Sequence, residues 1–332
     1  MEMQTLITIK LIVSIAFAAA TAGVGAAEAQ EWPTRPVTMV VPFAAGGPTD
    51  VVGRIFAGRV SELLGKQIIV ENVVGAGGMT GSYRVAKAAP DGYQFGIGNV
   101  GTHAQNQSLY KNPLYNAATD FAHVGLVFEA PIVLVTRMDF PANNLQDFIA
   151  YTKANQAKVQ FGSAGAGSAT HLACALLNAA IGVKITHVPY RGAGPAMQDL
   201  VAGRVDYECH GTEIALQQIE NKTIKAIAVL SANRSPTLPE LRTVQEQGLM
   251  GFDATVWSGF FLPKGAPAAI MQKLHDATVT AMDTPAVQDR LKVLGAMVVV
   301  PERRSSEYLE RFVEKEIERW AGTIKAAGIS AD

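Results

Sequence analysis

The sequence lacks any surplus of charge: 28 lysines and arginines stand against 29 aspartates and glutamates, with the signs dispersed along the chain. This excludes the basic footprint of a nucleic-acid binder and the polybasic face of a membrane-surface protein. An anion would have to be held locally. Cysteine is scarce, with only Cys174 and Cys209, and the six histidines show no short paired spacing, so no metal site is expected. For the two cysteines, one on an expected helix and one at the end of an expected strand, two buried thiols are the default expectation; a disulfide stays open.

Several catalytic signatures are also missing. No Gly-Lys-Ser/Thr follows a glycine loop, which excludes a P-loop. Gly75-Ala-Gly-Gly-Met-Thr-Gly81 carries Thr80 where a dinucleotide fingerprint needs glycine, and no acid ends the next strand near Ile97; a loop that caps a helix is the better reading. Ser163 and Ser168 both fall outside a Gly-x-Ser-x-Gly elbow. No catalytic residue, metal or cofactor is expected.

One long apolar run is present. Leu11 to Ala27 is nearly free of polar side chains, and Ala27-Glu28-Ala29 fits the small-x-small pattern of signal peptidase. Residues 1–29 therefore read as a signal peptide cleaved after Ala29, although Lys10 is the lone cation there and Glu2 accompanies it. No later run reaches the ~18 apolar residues of a membrane span. The mature chain, with 27 basic and 27 acidic residues once Lys10, Glu2 and Glu28 are gone, is expected to be soluble and exported.

The chain is organised around Val37-Thr-Met-Val-Val-Pro-Phe-Ala-Ala-Gly-Gly-Pro-Thr-Asp50: an apolar strand, a small-residue turn, and Pro48 opening a helix whose Val52, Phe56, Val60 and Leu63 share a face. The first N–H groups of such a helix have no internal partner and favour an anion. A second copy runs from Val159 through Ala164-Gly-Ala-Gly-Ser168, with Ser168 as N-cap. A third is Tyr190-Arg-Gly-Ala-Gly194 before Pro195. His171, in the first turn after the second loop, and His210, past a strand end, are the histidines best placed for a ligand.

Short apolar runs alternate with helical patterns throughout, which indicates an α/β fold with mostly parallel strands. Two long runs, Val124 to Thr136 and Phe252 to Leu262, suit strands that cross between two lobes. The expected layout is a first lobe of residues 30–130 and 255–332 and a second of 131–254. Ser305 to Ala327 reads as a helix with an apolar stripe through Leu309, Phe312, Val313, Ile317, Trp320 and Ile324; Glu314, Glu316 and Arg319 read as its solvated face.

Trp32-Pro-Thr-Arg-Pro36, Val41-Pro-Phe-Ala-Ala-Gly-Gly-Pro-Thr-Asp50, Val70-Glu-Asn72 with Gly75-Ala-Gly-Gly78, Ala89-Pro-Asp-Gly-Tyr93, Val188-Pro-Tyr-Arg-Gly192 and Ser235-Pro-Thr-Leu-Pro239 occur in order across the mature chain. Together they resemble the Bug-type periplasmic solute-binding receptors of tripartite tricarboxylate transporters. The resemblance implies a two-lobed, type II-like periplasmic binding-protein fold, each lobe a mostly parallel sheet flanked by helices, with two crossing strands as hinge, and no enzymatic activity.

It implies a carboxylate held at Phe43, Ala44, Ala45, Gly46, Gly47 and Thr49 in the first lobe, and at Ser163, Ala164, Gly165, Ser168, Ala169 and Thr170, with His171, in the second. Asp50 matches an acidic position that either selects an amino group or braces the loop. Thr102, His103, Arg191, His210 and Thr212 are expected at the distal half of the pocket. His210 stands where relatives often carry an acid or amide and would favour a second carboxylate.

The implied ligand is a small dicarboxylate or aromatic carboxylate, the partner a membrane permease, and the protein a periplasmic monomer without direct membrane insertion. A two-component sensor, or an exported hydrolase using Ser163 or Ser168, are the alternatives.

Overall fold

The computed structural model describes residues 31–330, so the expected signal peptide lies outside the described residues. From Arg35 onward the chain forms one compact unit. Ten strands make a single curled sheet in the order β2-β1-β3-β9-β4-β7-β5-β6, with β8 and β10 also paired to β4. The strands are β1 (Val37–Val41), β2 (Ile68–Asn72), β3 (Gln94–Asn99), β4 (Phe121–Arg137), β5 (Gln160–Ser163), β6 (Thr186–Pro189), β7 (Tyr207–Gly211), β8 (Ile224–Val229), β9 (Thr255–Pro263) and β10 (Met297–Val298). The ends of the sheet are parallel, β1 with β2 and β3, and β5 with β6 and β7. The middle is antiparallel.

β4 joins the two halves. Its first eleven residues pair with β9, and from Ile132 onward it pairs with β7 and β8. Register shifts at His123/Gly125, Leu126/Phe128 and Leu134/Val135 mark bulges, which bend a strand and add twist. A second passage lies beside it: Leu230 donates its N–H to Ile132 O (2.7 Å), and Ala254, just before β9, donates to Leu230 O (2.9 Å).

The helices that matter to the site follow strands. α1 (Pro48–Leu64) begins with proline at its first position, buries Val52, Ile55, Phe56 and Val60, and ends at Gly65 with φ +67°. α2 (Met79–Ala86) follows the glycine loop at 75–78, which caps the helix as expected. After α3 (Leu145–Ala154) come α4 (Ala169–Ile181), α5 (Ala193–Val201) and α6 (Thr212–Glu220), and then α7 (Ala268–Met282), α8 (Pro285–Val293) and α9 (Ser306–Ala327).

Two expectations are corrected. Cys174 on α4 and Cys209 on β7 are not separate thiols; they form a disulfide with a Cα–Cα distance of 5.5 Å, which ties that helix to the strand beneath it. Both sit in the core of the second half with Leu177, Tyr207 and Phe161. Glu316 on α9 is not on a solvated face. It is buried and accepts the indole N–H groups of Trp257 (2.9 Å) and Trp320 (3.0 Å), with Arg319 as its ion partner. A buried carboxylate requires such partners.

Candidate ligand-binding cleft

The turn after β1 is built around Asp50. Its Oδ2 accepts from the Gly46 N–H (2.9 Å) and Arg54 Nε (2.9 Å), and its Oδ1 accepts from Asn72 Nδ2 (2.8 Å). Burial alone would raise its pKa, but the bonds from Arg54, Gly46 and Asn72 outweigh this and hold it below the usual aspartate range. Both oxygens are thus committed to the loop, and Asp50 acts as a brace that presents the first turn of α1. Of the loop, Phe43, Pro48 and Thr49 line the cleft, while Ala45 and Gly46 are exposed outside it.

The facing turn is built in the same way from different side chains. Ser168 caps α4 by accepting the His171 N–H (3.2 Å), and Thr170 Oγ1 accepts the Ala164 N–H (2.8 Å). Ala164, Ser168, Ala169 and Thr170 line the cleft. Ser163 does not: it is fully buried, bonded to His187 Nε2 (2.7 Å) and to Gly165 O (3.2 Å). Behind this turn, His171 stacks on His187 at 4.1 Å, and burial pushes His171 down to about 4. Gly167 donates its N–H to His171 Nδ1 (3.3 Å), so His171 is a neutral acceptor that shapes the loop.

Two further helices open on the same space, α5 at Ala193 and α6 at Gly211 and Glu213. Asn99, Phe128 and Val256 from β3, β4 and β9 complete the cleft. Among the described residues, no lysine or arginine lines it. Four helix N-termini do, each equivalent to roughly +0.5 charge. The first-turn N–H groups of Thr49, Ala169 and Thr170 have no partner within their helices. The arrangement suits an anion.

The expected distal residues lie elsewhere. Thr102 and His103 occupy a buried π-helical turn, Gly101–Gln105, where the His103 ring stacks on Phe261 at 3.8 Å and bonds Thr102 Oγ1 (2.9 Å). Burial, then His123, holds His103 well below its ordinary pKa. His210 is fully buried with Nε2 on Glu208 Oε2. Thr212 Oγ1 donates to Gly295 O (2.7 Å). Arg191 is exposed and contributes its carbonyl, which accepts the Ala44 N–H (3.2 Å) across the two halves.

That contact belongs to a closed seam. Tyr110 donates its hydroxyl to Ala166 O (3.0 Å), and a Cβ added at Gly77 would stand 2.3 Å from the same oxygen. Gly165 lies beside the seam in an adjoining pocket with Gly77 and Arg191.

Sequence reasoning missed Asn99, Phe128, Glu213 and Val256. The signal available for Glu213 was a fourth strand, glycine turn and helix, Tyr207 to Glu220, with an acid in the helix's first turn. Glu213 is 7% exposed, and burial pushes its carboxyl up to about 7, with its own backbone N–H and then His210 pulling the other way.

The model of the tripartite tricarboxylate transporter family receptor matches residues 52–329 of this chain. A UPF0065 protein of Agrobacterium vitis is 42% identical over 303 residues, covering 91% of this chain and 87% of that protein. BugT of Bordetella pertussis is 33% identical over 321 residues, covering 96% and 98%. Among solved structures, the periplasmic binding protein BugD superposes with a TM-score of 0.87 at 42% identity, covering 90% of this chain and 99% of BugD. MatC from Rhodopseudomonas palustris with bound malate gives 0.86 at 40%, covering 88% and 100%. A second R. palustris protein, solved with adipate, gives 0.85 at 34%, covering 90% and 99%.

Proposed function

The chain belongs to the tripartite tricarboxylate transporter receptor family, whose members are solute-binding proteins and not enzymes, and on that premise we propose that it captures a small carboxylate in the cleft and delivers it to a membrane permease. The observation that carries this reading is the convergence of four helix N-termini on one cleft that no cation lines. Two relatives of the same fold bind malate and adipate, which supports a dicarboxylate here.

In this reading residues 30–130 and 255–332 form one lobe and residues 131–254 the other, and the mature protein works in the periplasm after cleavage behind Ala29. One carboxylate docks on the first turns of α1 and α4. Charge-assisted hydrogen bonds contribute about 1.5–3 kcal/mol each. Three or four of them offset the ordering cost and still reach roughly −8 kcal/mol, a micromolar complex. The lobes then turn about the crossing strands until the seam at Ala44, Arg191 and Ala166 closes. The permease reads that closed state, and the receptor acts as a monomer.

Thermal unfolding of the mature protein, stripped of carried-over ligand by refolding, tests the reading against malate, adipate and a panel of mono- and tricarboxylates. A true ligand at a hundred times its Kd adds about 2.7 kcal/mol of stability. A flat response to every carboxylate overturns it.

A further inference from the structure

Resting on the carboxylate reading, we propose that Glu213 is the specificity residue at the far end of the cleft, and that it holds an acceptor group of the ligand, such as a second carboxylate, by donating its own proton, so that the diacid and one proton are bound together. Glu213 lines the cleft from the first turn of α6, and its Oε2, although buried, has no protein partner. A buried polar atom without a partner is costly, and a ligand group is the natural means of satisfying it.

Two forms of the acid are possible, and the surroundings favour the neutral one. A carboxylate would need a cation or several donors; its own backbone N–H is one such donor and favours the charged form, but among the described residues no lysine or arginine lines the cleft and burial outweighs that bond. On β7 behind it stand His210 and Glu208, and His210 Nε2 is already engaged by Glu208. The segment after α8 offers only the Gly295 carbonyl, which Thr212 occupies. Across the cleft, the strands and loops present Asn99, Phe128, Val256, Phe43 and Thr49, none of which titrates. Burial in this setting raises the acid's pKa into the neutral range.

An ammonium group on the ligand would supply the missing cation, but it would enter a space onto which four positive helix ends open. A second carboxylate suits those helix ends, provided its neighbour is a protonated donor. A dicarboxylate therefore satisfies Oε2 and the helix termini at once, and its presence raises the proton affinity of Glu213 further. The proton comes from solvent, and no other group changes state.

The test is the pH dependence of Kd for malate and adipate, from about pH 6.5 to about pH 9, with aspartate as the amino-bearing counterpart of malate. Affinity is expected to fall by up to tenfold per pH unit above about pH 7. At about pH 8.5, where free Glu213 is mostly ionised, calorimetry in two buffers of different ionisation heat should count close to one proton taken up per diacid, a measurement on the native chain that needs no variant. Glu213→Gln, which keeps an N–H donor, should remove the slope.

Overturning results are affinity for the diacids that is flat or rises with pH, a proton count near zero, an unchanged slope in the variant, or tighter binding of aspartate than of malate. Diacid binding with any of these leaves the carboxylate reading standing and removes only the role of Glu213. Failure of every carboxylate to bind at any pH removes both.

Discussion

Asp50 shows how one side chain sets a whole loop. It accepts from a backbone N–H, a guanidinium and an amide at once, so Asp50→Ala leaves the Gly46 N–H without its acceptor and Asn72 with only the Phe43 carbonyl, and should cost about 1–3 kcal/mol in denaturant unfolding. Because its folded pKa lies below the unfolded value, the stability it provides is fully present above the ordinary aspartate range and is lost as pH falls through the lowered folded value. The acid limb of the stability profile should therefore be shallower in Asp50→Asn than in the native protein, and an unchanged limb would mean the carboxylate is not bonded as described. The residue itself is legible in the sequence because it stands in the first turn of an obvious helix. Its role was not, since the deciding partner Asn72 lies at the far end of β2. The same reason hid the engagement of His210 by Glu208: two side chains on the same face of a strand say nothing of whether that face meets the cleft or the core.

At the scale of elements, periodicity was a good guide where one face meets the core. The apolar stripes of α1 and α9 and the strand runs from β1 to β9 were all readable. What escaped depended on contacts distant in the chain or on irregular backbone. Glu316 is buried because Trp257, from another strand, needs an acceptor. Thr102 and His103 do not line the cleft, because a π-helical turn, which has no sequence signature of its own, buries them. The disulfide joins a helix to a strand across 35 residues of sequence, and removing a constraint of that loop length costs about 4 kcal/mol on chain-entropy grounds. The double variant Cys174→Ala/Cys209→Ala should lose stability of that order by denaturant titration. A loss below about 1 kcal/mol would show that packing around α4 alone holds the element in place.

For the molecule as a whole, the decisive feature is a sheet that never breaks between its halves. β4 and the stretch entering β9 run through the middle, so the proposed motion of one half on the other would be confined to bending of paired strands, with the seam as its stop. Gly77→Ala tests that stop. The added Cβ would lie 2.3 Å from Ala166 O and 2.6 Å from the Gly167 carbonyl carbon, so the seam cannot shut. Ligand affinity should fall at least about tenfold, a loss of 1.4 kcal/mol or more, and small-angle scattering should show the liganded variant to be more extended than the native complex. Gly58→Ala within α1, where an added Cβ meets nothing within 4 Å, is the control; it should gain up to about 1 kcal/mol of stability and bind as before. Equal affinity for Gly77→Ala would separate closure from binding.

Apart from the Tyr110 hydroxyl, the seam is main chain against main chain at Ala44, Gly77, Ala166 and Gly192, while the rest of the cleft is lined by side chains from other segments, Asn99, Phe128, Glu213 and Val256. The clasp and the recognition surface are therefore separately editable. If the proposed function holds, a descendant chain can acquire a new nutrient by exchanging a handful of side chains without relearning how to shut, and the same division makes this scaffold one to retarget as a sensor for compounds it never evolved to meet.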